Sequence, residues 1–231
     1  MGGIGGYYFI GILAFVVSLA MSAWLRSTYS RWSKVGNASG LTGAQVAEAI
    51  LRANNVTNVR VEATKGQLTD HYDPRSRVVR LSEGIYGKAS VAGMAVAAHE
   101  VGHAIQHARA YAPLQWRSAL APVAGIGSQF GMMLAMVGLF IGVGAEGGGG
   151  NALLNVGIIL FSAAVLFQVI TLPVEFDASR RALGQLNKLG LVTNQDSSGA
   201  RSVLTAAAMT YVAAAATSIA YLLYFIMASR R

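Results

Sequence analysis

The sequence predicts a mainly α-helical membrane protein, with four transmembrane helices and a small cytosolic α+β segment carrying a short antiparallel sheet. Three observations predict it. Four stretches carry no charge: 5–25, 118–145, 147–174 and 202–229. A helix crosses the bilayer core with about 20 apolar residues, and all four stretches are long enough. Only 12% of the 231 residues are charged while 54% are hydrophobic, a balance no soluble globule of this size needs. Between the first and second stretches the chain turns polar and shows the short periodic patterns of small helices and strands.

These patterns divide the chain into a first span at 1–28, a polar segment at 29–117, two spans within 118–172, a second polar segment at 173–201, and a last span at 202–231. The first span reads as retained rather than as a cleaved leader, because "MGGIGG" brings no basic residue ahead of the apolar run. Gly2 does not read as a lipidation site, since position 6 is Gly where that motif wants Ser or Thr. Twelve Lys and Arg lie in 26–117 and four in 180–201, out of 18. With four spans those two segments share a side, which the positive-inside rule makes the cytoplasm. Both termini and the loop around Glu146 then face the other way. The net charge of +8 is thus explained by topology and by attraction to the lipid bilayer, and no nucleic acid is expected as a partner. The chain has no cysteine, which excludes disulfides and thiolate metal ligands.

Along the first polar segment, "SRWSKVGNASG" reads as a linker. In "LTGAQVAEAILRANNV", Thr42 and Gln45 form a capping box, and Val46, Ile50 and Leu51 share one face of a helix ending near Asn54. "VRVEA" and "RVVRLS" are β-branched runs that read as two strands, with turn residues between them. Ser90 can cap a helix over about 91–109. "GAEGGGGN" at 144–151 reads as a hairpin loop between spans. "AAAMTYVAAAATS" offers small residues for helix packing in the last span.

The chemistry is concentrated in "AAHEVGHAIQH". His99 and His103 are spaced i, i+4, which puts both imidazoles on one helix face, where they can chelate one zinc ion. Glu100 sits between them, placed to take a proton from a water that zinc has acidified toward pH ~7. This is an HExxH pattern. His107 lies about 12 Å along the axis from His99 at 1.5 Å per residue, too far to share the ion, and reads as a supporting polar residue. A catalytic zinc takes three protein ligands and keeps one position open. Glu175, Asp177 and His71 are candidates for the third; Glu146 falls on the wrong side.

Three motifs in this order, "TDHYDPRSRVVRLS", "AAHEVGHAIQ" and "LPVEFDASRRA", resemble those of the YugP-like zinc metallopeptidases of bacterial membranes. The wider arrangement is similar to membrane gluzincins such as HtpX and the CAAX prenyl proteases. The resemblance implies a gluzincin-like fold with one Zn2+, His99, His103 and Glu175 as ligands, and Glu100 as general base. It implies an Asp four residues after the third ligand, where this chain has Ser179; Ser179 or Asp177 is left to support a ligand. His71, Tyr72 or a nearby Arg is a candidate to stabilise the transition state, against the plainer reading of Asp73-Pro74 as a turn. The strand "RVVRL" resembles the edge strand along which gluzincins bind extended peptide. The implied activity is zinc-dependent endopeptidase cleavage of membrane-associated or unfolded proteins. The rival expectation is a non-proteolytic scaffold or assembly factor with a structural zinc closed by a fourth ligand such as His71. A metal transporter fits less well, because the ligands lie outside the spans.

Overall fold

The computed structural model describes residues 4–142 and 149–230. It is mainly helical and divides into two compact units. One comprises residues 1–21, 116–172 and 210–231, the other 22–115 and 173–209. The helices are α1 (Ile4–Trp32), α2 (Gly43–Ala53), α3 (Glu83–Tyr86), α4 (Val91–Ala108), α5 (Ala112–Ile126), α6 (Met132–Gly142), α7 (Gly149–Lys188) and α8 (Asn194–Ser229). A π-helical turn, Gly127–Gly131, joins α5 to α6. Glu146 and residues 144–148 of the glycine-rich stretch lie outside the described residues, while Gly149–Asn151 already belong to α7.

Four helices are long and apolar enough to cross a membrane: α1, α5 with α6, α7 and α8. Their outward positions in the first unit are apolar; Phe9, Ile12 and Ile159 are each about two-thirds exposed or more (67%, 66% and 71%). In water such surfaces would be a liability, whereas in lipid they face a matching solvent. The buried seam of this unit joins Ala135, Leu139, Leu154, Phe161, Ala164, Val165, Tyr224 and Phe225. Backbones approach closely where side chains are missing: Gly131 lies against Phe161 and Gly138 against Leu154. In α8, Ala206, Ala208 and Ala215 are buried among the small residues the sequence offers.

In the second unit, α2 begins as its sequence dictates. Thr42 and Gln45 exchange the two bonds of a capping box, and Val46, Ala47, Ile50 and Leu51 are buried against the core. Ser90 caps α4, its hydroxyl accepting from the Gly93 amide at 3.1 Å. The sheet departs from expectation. It has three strands, β1 (Arg60–Thr64), β2 (His71–Asp73) and β3 (Val78–Ser82), in the order β1-β3-β2. β1 pairs with β3 in parallel and β2 pairs with β3 antiparallel, so the sheet is mixed, and β2 arises in the stretch read as turn residues. The strand "RVVRL" is central, not an edge. Burial explains the order: Val78, Val79 and Leu81 are fully buried, and a strand so apolar is best flanked on both sides. The free edges belong to β1 and β2.

The core of this unit, with Ile50, Leu81, Ile85, Met94, Ile105 and Leu186, packs the sheet and α2 around α4. Replacing Leu81 by Ala should cost about 2–5 kcal/mol, seen as a clear drop in the thermal unfolding midpoint of the full chain. An unchanged midpoint would contradict the central place of β3.

Candidate metal centre

The site is built by α4 and the part of α7 that lies in the same unit. α4 is an apolar helix in which Ala97, Ala98, Val101, Ala104 and Ile105 are buried. Its polar residues therefore sit in dry surroundings, where they need partners. His99 and His103 stand one turn apart on one face, with ring centroids 4.8 Å apart. The α4 backbone meets α7 at Gly102, where a Cβ would lie 2.7 Å from the Ala178 carbonyl oxygen. That close approach places Glu175 against both imidazoles. Its Oε2 lies 3.2 Å from His99 Nε2 and 3.6 Å from His103 Nε2. One ligand atom each from His99, His103 and Glu175 can be chosen so that all lie within 4.8 Å of one another.

The other ring nitrogens are occupied. His99 Nδ1 is 3.2 Å from the Ser179 hydroxyl. His103 Nδ1 is 3.0 Å from Gln106 Oε1. The Gln106 amide is fully buried and donates to the Val174 carbonyl and to Asp177 Oδ2. Asp177 accepts in turn from Arg180 and Arg181. Gln106 Oε1 can only accept, so His103 carries its proton on Nδ1; the Ser179 hydroxyl can accept from His99 Nδ1 in the same way, and both Nε2 atoms face the Glu175 carboxylate, the arrangement a metal ligand needs. Burial works against a charge on His103, but Glu175, Glu100 and Gln106 outweigh it and raise its pKa above the usual imidazole value. Surroundings that favour a proton there favour a cation.

Two imidazoles and a carboxylate are a donor set that zinc takes in catalytic sites, so the residues fit that ion. The family model described as "Putative neutral zinc metallopeptidase" matches residues 7–230. The chain belongs to that family. This metallopeptidase-family chain is also 45% identical over 216 residues to "Putative membrane protease YugP" of Bacillus subtilis (strain 168), covering 92% of this chain and 93% of that protein. No solved structure matches it.

The remaining candidates fall in different places. Glu100 is buried on α4 and has no hydrogen-bond or ion-pair partner among the described residues. Ser179 contacts His99 directly, and Asp177 contacts Gln106, which holds His103. His71 is not in the three-residue cluster; it lies exposed on β2, with Nδ1 2.8 Å from the Thr69 carbonyl and Nε2 3.4 Å from Arg80. Tyr72 places its hydroxyl 2.7 Å from His107 Nδ1. Asp73 closes the β2–β3 turn: the Ser76 hydroxyl and the Arg75 amide donate to it and hold its carboxyl well below the usual carboxylate range. Gln106 is the residue that sequence reasoning passed over. Its signal was present, three positions after His103 on the same helix face.

Replacing Gln106 by Met should weaken zinc binding by about 10- to 100-fold, measured by competition with a chromogenic chelator, with helix content unchanged. Replacing Gly102 by Val should push α4 and α7 apart and lower zinc content further. Full zinc affinity in either variant would contradict this description of the site.

Proposed function

We propose that this chain is a zinc-dependent membrane endopeptidase that hydrolyses peptide bonds of membrane-associated or unfolded proteins. The supporting observation is the convergence of His99 Nε2, His103 Nε2 and the Glu175 carboxylate, beside a Glu100 carboxylate that has no hydrogen-bond or ion-pair partner among the described residues. His99, His103 and Glu175 hold the ion. When bound, zinc supplies Lewis-acid chemistry that makes water a nucleophile near neutral pH. Glu100 accepts the proton that the water loses as it attacks the scissile carbonyl, then delivers it to the departing amine nitrogen. The absence of unmet hydrogen bonds on His99 and His103 lets their Nε2 atoms stay turned toward that chemistry. Peptide can add as a strand only at β1 or β2, since β3 is paired on both sides.

The same reading takes 29–117 and 173–201 as the cytosolic segments and the remainder as the membrane part, with both termini on the far side. Glu175 is the first charged residue after the uncharged run 147–174, so the scissile bond is expected close to the cytoplasmic leaflet. A scaffold with a closed structural zinc is less well supported, because His71 is engaged elsewhere and no fourth His, Asp or Glu joins the cluster among the described residues.

Replacing Glu100 by Gln should leave zinc content unchanged and lower the hydrolysis of an unfolded protein substrate by about 10²–10⁴-fold. Full activity in that variant, with zinc retained, would refute Glu100 as the base.

A further inference from the structure

A second polar feature lies on α4, one turn beyond His103. It is a pocket of about 380 Å³, lined by Asn55, Thr57, Asn58, Tyr72, Arg77 and His107, with Val and Ala completing the wall. No carboxylate lines it. The side chains of Asn55, Thr57, Asn58 and Arg77 have no hydrogen-bond or ion-pair partner among the described residues. Tyr72, 2.7 Å from His107 Nδ1, can donate its phenolic proton there; Nε2 then carries the ring proton and has no partner among the described residues. The pocket therefore presents a guanidinium, an imidazole N–H, a hydroxyl and two amides. That is a donor set for an anion.

The backbone adds an independent observation. Arg77 has φ 54° and Asn55 has φ 57°. Both are in the left-handed region, which a side chain with a Cβ disfavours and which Asn tolerates better than Arg. Arg77 ends the β2–β3 turn, a position where Gly would sit without strain. A bulky cation kept in a strained conformation at the rim of a pocket points to a use for its side chain.

We propose that this pocket binds an acidic side chain of the peptide substrate. The proposal rests on the peptidase reading and names a preference within it. His107 follows His103 by four residues, about 6 Å along the helix. An extended peptide covers that distance in about two residues at roughly 3.3 Å each. The acidic residue would therefore lie about two positions from the cleaved bond. Proximity to the metal centre favours a peptide carboxylate over a phosphate as the source of the anion.

The test is fluorescence anisotropy with labelled short peptides that differ only in Glu or Gln at one position. The protein is the full zinc-loaded chain carrying Glu100→Gln, so that the peptides survive. The Glu peptide should bind about tenfold more tightly, the gain expected of a charge-assisted bond. Adding Arg77→Gly should erase that preference while zinc content is kept and the thermal midpoint is unchanged or raised, because Gly fits the turn. Equal binding of the two peptides would overturn the proposal, as would a preference that survives Arg77→Gly. Arg77-dependent binding of inorganic phosphate without a Glu preference would also overturn it, in favour of a phosphate site. Hydrolysis by the unmodified chain is measured separately: its absence counts against the peptidase reading, whereas its presence without a Glu preference counts against the pocket alone.

Discussion

The metal centre depends on how closely α4 and α7 can approach. His99 and His103 are fixed by helix periodicity, but Glu175 is 72 positions beyond His103 in the sequence and reaches them only because Gly102 lets the Ala178 backbone come into contact. The approach is then held by hydrogen bonds. Gln106 reaches across to Val174 and Asp177, while Ser179 meets His99. The Gln106 bonds satisfy a fully buried amide that would otherwise be costly. Gln106 and Ser179 together turn both imidazoles so that Nε2 faces Glu175. Packing and chemistry are in this way set by one contact.

The two compact units present different surfaces. In one, helices show apolar residues outward and pack through glycine and alanine. In the other, the sheet and α2 surround α4 with a conventional apolar core. α7 is one unbroken helix of 40 residues that contributes to both. Its apolar part is long enough to cross a bilayer, and its later turns carry the carboxylate, the serine and the Asp177 that complete the site. A single helix can change its role along its length because each turn is judged by its own surroundings.

Much of this was legible in the sequence. The four long helices followed from uncharged length alone, and α2 and α4 began at the residues whose side chains cap them. His99, His103 and Glu175, which the resemblance implies as ligands, each bring one ligand atom within 4.8 Å of the others. The sheet was read less well. Two β-branched runs were visible, but β2 is only three residues long and contains His71, Tyr72 and Asp73, which carry no strand pattern. Its existence is set by β3, whose Val78, Val79 and Leu81 are fully buried and whose two edges are both paired. Pairing partners and strand direction are tertiary properties, and local pattern does not encode them. Gln106 was missed for a related reason: its spacing from His103 is visible, but its partners Val174 and Asp177 are brought against it only by α7.

The convergence of two imidazoles and one carboxylate on a single ion is tested most directly by zinc K-edge X-ray absorption on the purified full chain. The expected spectrum shows one zinc per chain with two imidazole ligands and the rest oxygen, at about 2.0–2.2 Å, and loss of one oxygen ligand when Glu175 is replaced by Ala. A spectrum with three or more imidazoles, or one that the Glu175 replacement leaves unchanged, would contradict it.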